Sequence, residues 1–328
     1  MQVFRGLHHA ALAPACALTI GNFDGVHRGH QAMLALLRNE AQHRGLPATV
    51  LTFEPHPRDY FAALSGKPEL APSRIATLRD KLSELERCGV DQVVIMRFDR
   101  SLAALSPNAF IAEVIEGGLR ARYVLVGDDF RFGAQRTGDY ARLDAAGQAR
   151  GFDVARMLSY EVHGARVSSS VVREALTAGD MARVATLLGR AYTVSGHVVH
   201  GAKLGRSLDC RTLNVRFGNH KPATSGIFVV RTHGLSGQPL EGVASLGVRP
   251  TVEDAGRVLL EVHCFDWPTG LGSEGGYGKI VRVELLHKLR DEARYDGLNA
   301  LKVAIHKDIA DAKAFFQVQH RQTSRDRI

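Results

Sequence analysis

The chain is poor in cysteine, and what it has is dispersed. Its four cysteines are Cys16, Cys88, Cys210 and Cys264, and no two form a CxxC pair. That spacing argues against a closed zinc site and fits free thiols in a reducing cytoplasm. Aromatic residues make up only 7% of the chain. No stacking motif of the kind carried by an RNA-recognition sheet is present, which argues against a nucleic-acid-binding module. No apolar run approaches the length of a membrane span. The apolar N-terminal stretch MQVFRGLHHAALAPACALTIG is interrupted by Pro14, so it reads as leading into a core strand rather than as a signal peptide. Internal repeats and low-complexity segments are also lacking.

What is present is an ordinary globular balance, with 45% hydrophobic and 23% charged residues. A length of 328 residues suggests two domains, either large enough to bury its own core. The formal net charge of +8 suits polyanions such as nucleotides, phosphates or nucleic acid. The basic residues are scattered, however, and only the tail HRQTSRDRI is a local cluster.

The first half alternates short apolar runs with helical ones. CALTIGNF, PATVLTF, DQVVIMRF, ARYVLVGDDF and FDVARML read as strands; HQAMLALLRNEAQHRG, RIATLRDKLSELERCG, SPNAFIAEVIEGGL and ARLDAAGQARG read as helices. Ser106 is placed as an N-cap, with Pro107 at the first helical position. Fully apolar strands alternating with helices predict a parallel sheet covered on both faces. SSSVVREALTAGD and MARVATLLGR predict two short helices. From Tyr192 the texture becomes β-rich and is punctuated by Gly and Pro. That pattern predicts a small barrel or sandwich, closed by a helix over LNALKVAIHKDIADAKAFF.

The densest chemistry lies in GNFDGVHRGH, residues 21–30. It follows a buried strand and opens a helix predicted to begin near Gly29 or His30. Three readings arise: a metal pair, a phosphate cradle, or an ordinary strand-to-helix turn. A metal needs a third ligand, and the nearby candidates are only Glu54 and His56 in FEPHP. The phosphate reading has more behind it. Ligands of an open parallel sheet bind beyond the carboxyl ends of its strands. A helix N-terminus offers unpaired N–H groups, the glycines allow close approach, and two imidazoles can donate to phosphate oxygens. RVSSSVVR, residues 166–173, makes similar sense, because hydroxyls, helix N–H groups and a guanidinium suit a polyphosphate. A plain N-cap run is the alternative there.

GVHRGH resembles the nucleotidylyltransferase signature. The longer GNFDGVHRGH, followed in order by TFEPHP, LRDKLSELERCGVD, VGDDFRFG and VSSSVVREAL, resembles the bacterial bifunctional riboflavin kinase/FMN adenylyltransferase (FAD synthetase) family over essentially the whole chain. The resemblance implies a Rossmann-like α/β nucleotidylyltransferase domain over residues 1–186, with a parallel sheet and helices on both faces. It implies a small β-barrel kinase domain with a C-terminal helix over 187–328. In the first domain it implies that Gly21, Asn22, Phe23, Asp24, His27, His30, Ser169, Ser170 and Arg173 contact ATP, His27 and His30 as catalytic groups. Pro55, Pro57 and Asp129 are implied at the flavin.

GHVVHGAKLGRSLDCRTLNVRF, residues 196–217, VASLGVRPTV and LLEVHCFDW resemble the kinase half. Gly201, Lys203, Gly205, Arg206, Thr212, Asn214 and Arg249 are implied ATP and flavin contacts, and Thr212 and Asn214 are implied ligands of Mg²⁺. Glu261 is implied as the base that takes the riboflavin 5′-hydroxyl proton; a surface strand glutamate is the alternative. Asp209, Cys210 and Arg211 stand where the family has Gly, an aromatic and Pro, which opens a second reading, an adenylyltransferase whose kinase domain is impaired. His197, His200, His263 and His287 are spread over several strands and match no ligand spacing. The expected partners are the small molecules ATP, riboflavin and FMN, with FAD as product, and neither nucleic acid nor membrane. The chain is expected to be a monomer or weak homo-oligomer.

Overall fold

In the computed structural model, which describes residues 1–162, 164–200, 212–218, 221–248, 258–272 and 274–325, the change of texture near Tyr192 separates a parallel sheet from a closed barrel. Strands β1 (Gln2–Arg5), β2 (Cys16–Ile20), β3 (Ala48–Glu54), β4 (Gln92–Arg97), β5 (Ala121–Gly127) and β6 (Asp153–Met157) lie in the order β1-β4-β3-β2-β5-β6. Every neighbouring pair is parallel. Parallel neighbours need long crossovers. Helices α1 (Arg28–His43), α2 (Pro57–Leu64), α3 (Leu78–Arg87), α4 (Arg100–Ala104), α5 (Pro107–Ala109) and α6 (Tyr140–Arg150) lie along these connections, α5 running on into a wide helical turn over Phe110–Gly118. Ser106 caps α5 by accepting from the Ala109 N–H at 3.2 Å.

Both faces of the sheet are covered. Leu37 and Ala41 of α1 pack on Ala17, Ala48, Tyr123 and Leu125. Phe110, Ile111, Val114, Ile115 and Leu143 pack on Leu18, Ile20, Leu51, Val94 and Val124 from the other side. The chain runs from β2 outward to β3 and β4, then returns to place β5 on the opposite side of β2. That reversal creates a topological switch point between β2 and β5, where open α/β sheets bind ligands.

After the hairpin β7 (Glu161–Val162) and β8 (Ala165–Arg166), helices α7 (Ser169–Ala178) and α8 (Met181–Leu188) precede the barrel. Its strands are β9 (Tyr192–Val199), β10 (Leu213–Gly218), β11 (Gly226–His233), β12 (Leu240–Val248), β13 (Val258–Cys264) and β14 (Ile280–Arg290), closed in the order β10-β13-β12-β11-β14-β9. Closure leaves no edge strand, and alternation fills the inside. Val194, Val198, Leu260, Val262, Val281 and Val283 are buried at every second position. Helix α9 (Leu298–Arg325) lays Ala312 and Phe316 on Val229 and Val243.

The chain divides into two compact units, Met1–Pro72 with Lys81–Ser168, and Ser73–Asp80 with Ser169 onward. Segment 73–80 explains one departure from expectation: the helix read over residues 74–89 begins only at Leu78. Arg74 spends its backbone elsewhere, its N–H donating to the Lys221 carbonyl at 2.8 Å and its carbonyl accepting from the Ala223 N–H at 3.1 Å. Thr77 then caps the helix, its hydroxyl accepting from the Asp80 N–H at 3.1 Å and donating to the Asp80 carboxylate at 2.7 Å. The same carboxylate accepts from the Ser195 N–H at 3.2 Å.

Candidate active sites

The GNFDGVHRGH turn leaves β2 at Ile20 and enters α1 at Arg28. It is compressed into positive backbone angles, with φ of 48° at Phe23, 84° at Gly25 and 40° at Val26. Glycine takes such an angle freely, but a β-branched valine there stores about 1–3 kcal/mol of strain. Burial holds it in place, for Phe23 is 1% exposed and Val26 is fully buried. The Gln31 side chain also donates to the Val26 carbonyl at 2.9 Å. Strain of this kind persists where the surroundings over-determine it, and it aims the groups that follow.

Helix α1 begins at Arg28, a residue or two earlier than expected, with His27 as its N-cap. His27 Nδ1 accepts from the His30 N–H at 3.3 Å, so its neutral ring carries the proton on Nε2. The His30 ring stacks on that of His27, centroids 3.7 Å apart and planes 16° apart, and leans on Phe23 at 4.9 Å. A Cβ on Gly29 would sit 3.2 Å from His27 Nδ1 and 3.3 Å from the Val167 carbonyl. The glycine of HxGH therefore gives the first histidine room to cap. Burial first, then the nearby His27 and Lys81, hold the His30 imidazole well below its ordinary value. His30 Nδ1 and Asn22 Oδ1 are buried without a hydrogen-bond partner among the described residues. Unpaired buried polar atoms are costly, and here they line a helix N-terminus suited to anions.

Around this turn stand the ends of its neighbours. Pro55 and Pro57 follow β3, and Asp129 follows β5, so residues expected at the nucleotide and at the flavin lie off the carboxyl ends of adjacent strands. His56 is absorbed structurally: its Nδ1 caps α2 by accepting from the Arg58 N–H at 3.1 Å. Glu54 is paired with Lys81 at 3.0 Å. The Asp129 carboxylate accepts from Arg166 at 3.1 Å. Its neighbour Asp128 accepts from the Ser159 hydroxyl at 2.6 Å. That hydrogen bond, helped by the charge of Arg166, holds Asp128 below the usual carboxylate range. Ser169, Ser170 and Arg173 lie on α7, in the second compact unit. Arg173 Nε donates to the Ser73 carbonyl at 2.8 Å.

The second site is assembled by register. Asn214 of β10 lies opposite Glu261 of β13, and Glu261 lies opposite Ser245 of β12. Directly paired residues of antiparallel strands share a face, so Asn214, Glu261 and Ser245 stand side by side. Thr212 immediately precedes β10. A threonine hydroxyl and an amide oxygen are hard-oxygen donors of the kind that suits Mg²⁺. Gly201, Lys203, Gly205, Arg206 and Arg249, together with Asp209, Cys210 and Arg211, lie outside the described residues. Sequence reasoning missed two charged groups, Lys81 and Glu292. Lys81 carried a signal as a cation in an amphipathic helix, where it is 1% exposed. Glu292 lies beyond any strand pattern.

Comparison with known proteins matches both units. A FAD synthetase family model matches residues 9–171 and a riboflavin kinase model matches residues 188–316. The chain is 43% identical over 318 residues to the bifunctional riboflavin kinase/FMN adenylyltransferase of Escherichia coli K12, covering 96% of this chain and 98% of that one. It is 43% identical over 317 residues to the enzyme of the same description from Haemophilus influenzae, covering 96% and 99%. A solved structure described as a macrolide-efflux protein from Streptococcus pneumoniae is 25% identical with a TM-score of 0.75, covering 94% of this chain and 97% of that one. Among the described residues no helix is long and apolar enough to cross a membrane.

Proposed function

The chain belongs to the family of bifunctional riboflavin kinase/FMN adenylyltransferases, and from that premise we propose which residues carry each half of its work. It is a transferase of FAD biosynthesis. One activity phosphorylates riboflavin to FMN with ATP; the other adenylylates FMN to FAD and releases pyrophosphate. Nothing favours the impaired-kinase reading over this one. Residues 1–186 are assigned to the adenylyltransferase and 187–328 to the kinase, a division supported by the family limits at 171 and 188.

In adenylyl transfer an FMN phosphate oxygen attacks the α-phosphorus of ATP as the bond to pyrophosphate breaks. No protein nucleophile is needed, so the protein's share is orientation and charge stabilisation. His27 commits Nδ1 to its own cap and presents an Nε2–H donor. His30 is neutral at rest and accepts charge as polyphosphate oxygens approach. Gly21, Asn22, Phe23 and Asp24 shape the turn that receives the phosphates, with Ser169, Ser170 and Arg173 as further ATP contacts. Pro55, Pro57 and Asp129 bound the flavin. The observation that carries this reading is the strained turn at the switch point, with Asn22 Oδ1 and His30 Nδ1 buried and unpartnered among the described residues.

In the kinase, Glu261 accepts the 5′-hydroxyl proton while that oxygen attacks the γ-phosphorus. Thr212 and Asn214 would hold Mg²⁺, which when bound neutralises charge on the transferred phosphoryl group. Gly201, Lys203, Gly205, Arg206 and Arg249 complete the ATP and flavin contacts. The protein works in the cytoplasm on small molecules, as a monomer or weak homo-oligomer, without nucleic acid or membrane.

The test supplies ATP and Mg²⁺ with either riboflavin or FMN and separates the flavins by chromatography. His30→Ala is expected to cut FAD formation from FMN by about 10²–10³-fold, the effect of removing one donor to developing charge, while FMN formation from riboflavin continues. Equal loss of both activities would refute the division of labour.

A further inference from the structure

A lysine is almost never fully buried unless it is paired, because taking its charge out of water is costly. Lys81 of α3 is 1% exposed. Its ammonium donates to Glu54 Oε1 at 3.0 Å. An apolar side chain of similar volume would fill the same space without that cost, so packing alone does not account for a cation here.

The place of the pair gives it a use. Glu54 is the last residue of β3, and the next residues, Pro55 to Pro57, form the turn assigned to the flavin. Pairing of β3 with β4 ends at Glu54, opposite Arg97, where the Glu54 carbonyl accepts from the Phe98 N–H at 3.1 Å. Lys81 ties the side chain of that same residue. The residues just before it support the strained turn after β2. The Leu51 carbonyl accepts from the Gly21 N–H at 3.0 Å, and the Thr52 hydroxyl donates to the Asn22 carbonyl at 3.4 Å. The end of β3 therefore carries the nucleotide turn and leads straight into the flavin turn. The charge of Lys81 also reaches His30, where it adds to burial and to His27 in holding the imidazole well below its ordinary value.

We propose that Lys81 is a positioning residue of the adenylyltransferase site, whose ion pair with Glu54 fixes the end of β3 and so holds the Pro55–Pro57 turn in place for the flavin. The proposal rests on the reading of the two turns as the ATP and FMN sites. A buried pair broken on one side leaves an uncompensated charge, and a small misplacement of a binding turn is felt in the reaction it serves. Lys81 touches no reacting atom; it acts through Glu54.

The experiment measures kcat and the KM values for FMN and ATP in FAD formation by the full chain, with FMN formation from riboflavin as the control. Lys81→Met keeps most of the stem and removes the charge. It is expected to raise KM for FMN about tenfold, within the range that positioning supplies, with kcat and KM for ATP changed much less, the pattern of lost ground-state binding. FMN formation from riboflavin is expected to be unchanged. Glu54→Gln keeps an oxygen for Lys81 and is expected to raise KM for FMN by less. In the double variant the two losses should not multiply, because two residues acting through one link lose it once. An unmoved KM for FMN in Lys81→Met overturns the proposal, and a raised KM for ATP in its place would make Lys81 a phosphate contact instead. A double variant whose loss is the product of the two single losses also overturns it. Should Lys81→Met fail to fold, Glu54→Gln decides, and an unmoved KM for FMN there overturns the proposal. His30→Ala is run alongside: full FAD synthesis there would refute the reading of the nucleotide turn, whereas its loss together with an unmoved KM for FMN in Lys81→Met refutes only the role of Lys81.

Discussion

The two sites are built by opposite strategies. Near the sheet, ten consecutive residues, 21–30, supply the strained turn, the cap and the stacked imidazoles. On the barrel, Asn214, Ser245, Glu261 and Glu292 come from distant stretches and meet only because three strands pair in one register and a fourth segment folds back over Gly247. A contiguous site tolerates sequence change elsewhere but is sensitive within its own few residues. A register-built site is exposed to a slip of any contributing strand, since a shift of one residue turns a side chain to the other face. Closure of the barrel protects against that slip, because every strand is paired on both sides.

The largest expected break in this comparison is Glu261→Gln. With its proton acceptor gone, FMN formation should fall by about 10²–10⁴-fold, while FAD formation from supplied FMN is retained. Chromatographic assays with riboflavin and with FMN read both outcomes. Retained kinase activity would assign Glu261 to the surface of the strand and erase the register-built site.

Next in size is Gly29→Ala, which probes the contiguous site without touching an imidazole. The added Cβ would press on His27 Nδ1 and the Val167 carbonyl at 3.2 and 3.3 Å, so the cap ring must shift by a few tenths of an ångström. Misplacement on that scale is expected to cost about tenfold in FAD formation, within the range that positioning supplies. FMN formation should not change. A variant with full FAD synthesis would show that the cap geometry is not what aims His27.

These contrasts also explain what could be read from the sequence. The parallel sheet was legible from its apolar strands, and the phosphate-binding turn from its glycines and histidines, because both are local patterns. The barrel was legible as β-rich texture, but its order was not, since register is a long-range property. Segment 73–80 misled because helical periodicity starts at Arg74, whose backbone is instead claimed by residues 221–223. Helix α3 forms as its amphipathic pattern predicts, but that pattern does not mark the burial of Lys81 and Glu84 beside Leu85. The extension of α9 to Arg325 passes beyond the apolar periodicity that predicted it. Gly247 could have been flagged as a glycine inside a strand, but only the folded chain names Glu292 as the group it admits.

The smallest expected effect is on stability against pH, and there the two sites should differ in sign. His30 is depressed in the folded protein, chiefly by burial, so the folded state binds fewer protons than the unfolded state once the pH drops below about 6.5. Its stabilising contribution is present above that value and is lost as pH falls, by at most about 1.4 kcal/mol per pH unit. Glu292 is raised in the folded protein, by partial burial and then Glu261, so the folded state binds more protons there. Its contribution is present below the ordinary glutamate value and is lost as pH rises through the raised one. Thermal melts of the full chain across the acid range should show this. His30→Gln should flatten the loss of stability below about pH 6.5, and Glu292→Gln should remove a loss that grows as pH rises through the carboxylate range. If His30→Gln leaves the acid side unchanged, the imidazole already takes its proton without phosphate, and the turn is not the neutral cradle that its buried, unpartnered atoms describe.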